Sequence, residues 1–273
     1  MLTNKNIILL GGTGTLGQAT LELLLKEDIH SVRIYARHEH TMHLLRQKYG
    51  EHSKIRYIIG DIGNKEILSR AMENIDTCFN FAALKHVWTC ESQPLEALKT
   101  NVIGVQNAID CAIERNIKTF VQMSTDKAVN AINTYGKTKA LAEDLVLNAP
   151  LYQGNNRTKF IVCRSGNILG SSGSVLEIWS EQQKQGLPLT VTDLNATRYG
   201  ASKEQIAKAI LKAATSNLSG LIVLGMKRYS IKELLAQFGD CEIVETGLKP
   251  FEKMDEQLFR EGEKFTLMEV DEK

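Results

Sequence analysis

Tyr135 and Lys139 stand four residues apart in Tyr135-Gly136-Lys137-Thr138-Lys139. On a helix that spacing puts both side chains on one face. A nearby ammonium favours the phenolate, so the pair predicts a tyrosine with a lowered pKa that moves a proton near neutral pH. Ten residues before Tyr135, an apolar run ends in Met123-Ser124-Thr125-Asp126-Lys127. Thr125 is placed there to complete a hydroxyl–tyrosine–lysine triad. Asp126 and Lys127 follow it directly and, taken alone, read as a solvated loop pair.

A second segment with chemical content is Gly11-Gly12-Thr13-Gly14-Thr15-Leu16-Gly17. Glycines at 11, 14 and 17 permit a tight turn, close approach of backbone to a pyrophosphate, and close packing of helix on strand. The helix that follows offers free N–H groups and a partial positive charge to phosphates, so Thr13, Thr15 and Leu16 are expected at a dinucleotide. NAD sites usually carry an acid ~20 residues past such a turn; this chain has Tyr35-Ala36-Arg37-His38-Glu39. Arg37 suits a 2′-phosphate and predicts NADP, with Glu39 and NAD as the alternative. Asp61, in Gly60-Asp61-Ile62, is expected near the adenine with Ile62, or else caps the next helix. Ala82 and Ala83 are expected to line the same crevice. No metal site is expected.

These groups need a scaffold that brings residues 11–17, 37, 61, 82–83, 125 and 135 to one edge. Strand and helix patterns alternate with short punctuation, which predicts an α/β fold with a parallel sheet covered on both faces. Strands are expected at Asn6–Leu10, Ser31–Tyr35, Ile55–Ile59, Thr77–Phe81, Thr119–Met123 and Lys159–Cys163. A helix over Thr15–Lys26 follows the first, and Val102, Val105, Ile109, Ala112 and Ile113 form one stripe of another. The fold class is a Rossmann-type doubly wound sheet, with residues 1–170 as the dinucleotide-binding domain. Residues 171–273 are expected as a small C-terminal substrate lobe, interleaved with the sheet and without a core of its own. In it, a helix through Gln183 and helical patterns at Lys203–Ala214 and Ser230–Phe238 surround a short strand at Leu221–Leu224.

Composition removes other classes. A net charge of +1 on 273 residues gives no basic field for nucleic acid. No apolar stretch approaches the ~20 residues of a spanning helix, and the start of the chain leaves no room for a leader, so a cytoplasmic protein is expected. Five scattered cysteines without a CxxC pair suit a reduced compartment. A homo-oligomer is the expected assembly.

With those residues in view, the chain resembles the UDP-N-acetylglucosamine 4,6-dehydratases, in the polysaccharide-biosynthesis branch of the extended short-chain dehydrogenases. The resemblance is carried by Asn80-Phe81-Ala82-Ala83-Leu84-Lys85-His86-Val87, Thr100-Asn101-Val102-Ile103-Gly104 and Ser124 through Asn130. Asn133 through Lys139, Arg164-Ser165-Gly166-Asn167, Gly170 through Ser174, Thr197-Arg198 and Gly247 through Lys253 continue it. It implies a redox cycle that returns its cofactor unchanged. Tyr135 would deprotonate the sugar C4 hydroxyl, a partly neutral Lys127 would remove the C5 proton, and Asp126 would protonate the departing C6 hydroxyl. The product would be a UDP-4-keto-6-deoxy-N-acetylhexosamine, with or without inversion at C5. Asn101 would steady Lys139 through a water or a backbone carbonyl, or else cap the helix that follows. Lys85, His86 and Ser174 would approach the sugar, and Asn167, Arg198 and Lys253 the UDP moiety. Departures cluster on the substrate side: Trp88 and Ala131 replace prolines, Ser165 a tyrosine, Ser172 an arginine, Tyr199-Gly200 an aromatic pair and Phe251 a glycine. An NADPH-dependent reductase of a 4-keto sugar nucleotide, which would not need Asp126 and Lys127, is the alternative. A non-catalytic NADP-binding regulator is a third reading.

Overall fold

The computed structural model describes residues 2–171 and 173–270. Its first half alternates β1 (Asn6–Leu10), α1 (Thr15–Leu24), β2 (Ser31–Ala36), α2 (Glu39–Tyr49), β3 (Ile55–Ile59), α3 (Lys65–Ala71) and β4 (Thr77–Asn80). Two short helices, α4 (Val87–Ser92) and α5 (Pro94–Leu98), lead through a π-helical turn at Lys99–Ile103 into α6 (Gly104–Glu114). Next come β5 (Thr119–Thr125), α7 (Thr134–Asn148) and β6 (Lys159–Ser165). The remainder holds β7 (Asn167–Leu169), α8 (Val175–Lys184), β8 (Leu189–Val191), β9 (Thr197–Ser202), α9 (Lys203–Thr215) and β10 (Gly220–Gly225). It closes with β11 (Lys227–Ser230), α10 (Ile231–Leu235), β12 (Ile243–Glu245) and β13 (Thr266–Glu269).

Eight strands form one sheet in the order β13-β10-β6-β5-β4-β1-β2-β3, and every pairing in it is parallel. The uninterrupted apolar run of β1 follows from burial on both faces. Ile7 and Leu9 pack with Leu21 and Leu24 of α1 and with Ile206 and Ile210 of α9. Ile8 and Leu10 point the other way, into a core shared with Leu68 of α3, Val105 and Ile109 of α6, and Ala142 and Val146 of α7. Period-two alternation splits one strand between two cores. Each fully buried aliphatic chain contributes roughly 1.5–3 kcal/mol.

The expected strands are present, β1 and β3 at their expected limits and the others one or two residues different. The order reverses between β1 and β4, so the C-terminal ends of β1 and β4 diverge to open a crevice where ligands bind in such sheets. Two expectations change. The pattern over Ser230–Phe238 is split into strand end, α10 and a 3₁₀ turn at Ala236–Phe238. The C-terminal lobe has a core of its own: Trp179, fully buried, packs with Leu189, Val191, Tyr229, Ile231 and Leu234, and its indole N–H donates to the Thr190 carbonyl at 2.8 Å. The separate β11-β9-β7 and β12-β8 sheets frame that core. Their strands are three to six residues long, too short for periodicity to declare them. All five cysteines are free thiols. No helix among the described residues is long and apolar enough to cross a membrane.

Candidate active site

A cleft of about 310 Å³ runs along the C-terminal ends of β1, β2, β4, β5 and β6. The glycine turn forms its floor. Gly11 has φ +75°, and a Cβ there would lie 2.7 Å from Ala82 N; a side chain is excluded by conformation and by space. A Cβ on Gly17 would lie 2.5 Å from Gly12 Cα, which is the close helix–turn packing expected of the third glycine. At Gly14 a Cβ would meet only Gly11 O, at 3.3 Å. Gly14 provides no side-chain cap for α1, so first-turn N–H groups at the cleft edge are left for an anion. Thr13, Thr15, Leu16, Ile62, Ala82 and Ala83 line this cleft, as do Arg37, Tyr135 and Lys139. Ser124 Oγ, also there, is buried without a hydrogen-bond partner. An uncapped helix start, a glycine cradle and an orphaned hydroxyl fit a dinucleotide.

Asp61 does not line the cleft. Its carboxylate pairs with Arg37 at 3.5 Å and accepts from Gly63 N at 2.7 Å. The cap of α3 is Asn64, whose side chain accepts from Ile67 N, so Asp61 does not cap that helix; its neighbours Gly60 and Ile62 and its partner Arg37 line the cleft. Asn101 is also reassigned. Buried in the π-helical turn, it accepts from Leu84 N at 2.8 Å and donates to Leu84 O at 3.0 Å and to Thr138 Oγ1 at 3.1 Å. It clamps the loop after β4, and its direct hydrogen bonds go to Leu84 and Thr138.

At the far end, β5 delivers Thr125, and α7 delivers Tyr135 and Lys139. Asn133 starts α7 on cue, its side chain accepting from Gly136 N at 2.7 Å, as an N-cap asparagine should. Lys139 donates to the Met123 carbonyl at 2.6 Å; burial, opposed by Glu143, brings its pKa down to about 8. Tyr135 moves opposite to the expectation. Burial pushes its phenol up to about 12, against the Lys127 ammonium, with the Asp126 carboxylate raising it and a hydrogen bond with Thr125 lowering it. The cation that eases its ionisation is therefore Lys127.

Asp126 and Lys127 are not a solvated pair. Asp126 is 0% exposed; its Oδ1 accepts from Thr125 Oγ1 at 2.9 Å and from Lys127 Nζ at 3.1 Å, and its Oδ2 has no hydrogen-bond partner. Lys127 Nζ also donates to Asn167 Oδ1 at 3.2 Å. Burial works to lower the Lys127 pKa, but the Asp126 and Glu256 carboxylates outweigh it and hold the ammonium above the usual lysine value. These neighbours therefore favour the charged form and lend no support to the expected partly neutral lysine.

The residues expected at the substrate divide. Lys85 lines the cleft and Asn167 joins the Lys127 cluster. His86 is exposed and faces the Gly173 loop, where a Cβ would lie 2.8 Å from its Cε1. Ser174 precedes α8 with a buried Oγ that has no hydrogen-bond partner. Arg198 and Lys253 are engaged by backbone: Arg198 donates to Thr197 O at 2.8 Å and Met254 O at 2.9 Å, and Lys253 to Val129 O at 2.5 Å. Ser172 lies outside the described residues. Sequence reasoning missed Glu256, a buried acid in a stretch where Glu252 and Asp255 look the same by type.

The segment carrying Glu256 is a strap across the loop between Lys127 and Tyr135. Asn133 Nδ2 donates to Phe251 O at 3.0 Å, Asn130 Nδ2 to Gln257 Oε1 at 3.0 Å and Arg260 to Ala128 O at 2.9 Å. Trp88 and Phe251, two of the departures from the family pattern, meet each other with ring centroids 6.0 Å apart. Lys249 Nζ lies 5.7 Å from the Trp88 ring centre.

A parallel eight-stranded sheet, a glycine-turn cleft and a tyrosine–lysine helix beside it define an extended short-chain dehydrogenase/reductase, an enzyme class. The chain belongs to the family of polysaccharide biosynthesis proteins, whose pattern it matches over residues 7–273. It is 40% identical over 98% of its length to 84% of an uncharacterised membrane protein of Methanocaldococcus jannaschii. It is 36% identical over 94% of its length to 78% of a UDP-N-acetylglucosamine 4,6-dehydratase (inverting) of Campylobacter jejuni. A UDP-glucose 4-epimerase of Rickettsia typhi is 36% identical over 87% of this chain and 70% of its own length. Among solved structures, Pen from Bacillus thuringiensis superposes with a TM-score of 0.90 at 37% identity, over 95% of this chain and 83% of that one.

Proposed function

We propose that the protein is an NADP-dependent sugar-nucleotide 4,6-dehydratase that converts UDP-N-acetylglucosamine to a UDP-4-keto-6-deoxy-N-acetylhexosamine. The observation that carries this reading is the buried Asp126–Lys127 pair beside Thr125 and Tyr135, with Asp126 Oδ2 unpartnered. A buried carboxylate oxygen without a partner is costly, and a hydroxyl on the substrate would satisfy it. The bound nicotinamide supplies a hydride acceptor for sugar C4 and later a hydride donor to C6. Tyr135 takes the C4 hydroxyl proton, its phenolate eased by Lys127 and Thr125. Moving one proton from Lys127 Nζ to Asp126 breaks an N–H bond, forms an O–H bond and leaves the pair's total charge unchanged. It produces at once a neutral base for the C5 proton, which the adjacent ketone acidifies, and an acid for the C6 hydroxyl, which leaves as water. Arg37 supports NADP over NAD by charge-assisted bonding to a 2′-phosphate.

The charged state of Lys127 favours a second reading, a 4-keto reductase or a 4-epimerase, in which only Tyr135 and the cofactor move protons and hydride. A proton-NMR time course with UDP-N-acetylglucosamine and no added reductant separates them. The dehydratase gives a new C6 methyl signal, C5 deuterium uptake in heavy water and no net change at 340 nm. An untouched substrate with NADPH oxidation on a 4-keto-6-deoxy sugar nucleotide, or a simple 4-epimer, overturns it. In the same assay Arg37→Ala should erase most of a preference for NADP, a loss of about 1.5–3 kcal/mol; equal affinity for NAD in the unmodified protein rules the preference out.

A further inference from the structure

Lys127 has a second carboxylate neighbour that comes from the other end of the chain. Glu256 is 5% exposed. Its Oε1 lies 3.7 Å from Lys127 Nζ, and its Oε2, which has no hydrogen-bond partner, lies 3.5 Å from Lys253 Nζ. The groups facing Lys127 are then Asp126 from its own turn, Asn167 from β7, Tyr135 from α7, Tyr229 from β11, and Glu256 from the strap, with Lys253 behind it. Two carboxylates and two ammoniums balance in a nearly dry site, where an unpaired charge would be expensive.

We propose that Glu256 is a positioning residue for Lys127: the strap delivers a carboxylate that holds Nζ between Asp126 and Asn167 and keeps it protonated until the reaction needs the base. Lys253 completes the arrangement. When the Lys127 proton passes to Asp126, Glu256 still has Lys253 as its counter-ion, so no carboxylate is stranded. The buried acid, the second lysine and the strap that carries both are thereby accounted for together. This inference rests on the reading of Asp126 and Lys127 as acid and base.

The test is a ¹³Cε NMR titration of lysine-labelled protein, with the Lys127 signal assigned through Lys127→Arg. In the unmodified protein Lys127 should stay charged past the free-lysine midpoint. Glu256→Gln should lower its midpoint by at least about one pH unit, as loss of an opposite charge within ~4–6 Å predicts. Glu256→Asp should restore part of the shift, and serves alone if the glutamine variant fails to fold. Lys253→Met leaves Glu256 with Lys127 as its sole cation, so the midpoint should hold or rise. A fall in both Glu256→Gln and Lys253→Met would mean that a loosened strap, not charge, is responsible, and would overturn the proposal. An unmoved midpoint in Glu256→Gln would also overturn it. In turnover, the alkaline limb of kcat should move down with the Lys127 midpoint in Glu256→Gln. If Lys127 titrates as described but even the unmodified protein makes no 4-keto-6-deoxy product, the dehydratase reading fails and, with it, the catalytic use of the pair, while the electrostatic hold of Glu256 on Lys127 stands.

Discussion

At the scale of single residues, the site is governed by where protons rest before substrate arrives. Tyr135 is a phenol pushed up to about 12 by burial, and Lys139, brought down to about 8, has its ammonium committed to the Met123 carbonyl. Lys127 is the neighbouring cation that lowers the Tyr135 pKa, and in the proposed reaction it would serve the tyrosine before it serves C5. Tyr135→Phe should retain the fold and cofactor affinity while lowering turnover by at least the ~10²-fold typical of acid–base groups. Stopped-flow turnover beside a cofactor-binding titration checks this, and near-normal turnover would make the tyrosine structural. That Thr125, Tyr135 and Lys139 converge was legible from spacing, whereas Asp126 and Lys127 joined them only through the family resemblance. The direction of the Tyr135 and Lys127 pKa shifts was not legible, because the first depends on burial and the second also on Glu256, more than a hundred residues away along the chain.

At the scale of elements, the three glycines of the turn do different work, and substitution should separate them. Gly11→Ala meets both a left-handed backbone and the Ala82 amide, and should destabilise by about 1–3 kcal/mol. Gly17→Ala should do likewise through Gly12. Gly14→Ala meets only Gly11 O, at 3.3 Å, a contact relieved by a shift of a few tenths of an ångström. It places a methyl group where a pyrophosphate would approach, so it should weaken dinucleotide binding with a smaller fall in melting temperature than the other two. Thermal melts and fluorescence titration of NADPH measure the two effects; equal loss of stability in all three would contradict the assignment. The same elements show what sequence could declare. β1 was readable because its apolar run is continuous, and β3 because its run, broken only by Arg56, is bounded by turn residues. β7, β8, β11 and β12 were not, since three or four residues cannot display a period. Lys253 and Arg198 were expected at the UDP moiety through the family resemblance, which could not reveal that backbone carbonyls also engage them.

At the scale of the molecule, Arg164 ties the strap to the sheet. It is 1% exposed and donates to both oxygens of Glu143, at 2.9 and 2.6 Å, to Glu263 at 2.6 and 2.9 Å, and to Leu258 O at 3.0 Å. Arg164→Met strands two carboxylates and should cost about 3–5 kcal/mol, read by urea unfolding; a loss under 1 kcal/mol would count against the network. The Arg164 guanidinium also holds the Glu263 carboxyl below its usual pKa. A depressed folded-state pKa gives stability that is present above the unfolded value and lost as pH falls through the folded one, so Glu263→Gln should flatten the acid side of the stability curve. The order of segments has a consequence in time. The residues that line the dinucleotide cleft end at Ile168, whereas the carboxylate beside Lys127 is Glu256. At about 5–20 residues per second, roughly 90 further residues take on the order of 5–20 seconds to emerge from a ribosome. A nascent chain therefore carries every side chain that lines the crevice seconds before Lys127 acquires its second counter-ion. Helix α9, which covers Ile7 and Leu9 of β1, emerges between the two, so the crevice is closed from behind during synthesis and the charges at Lys127 are balanced only near its close.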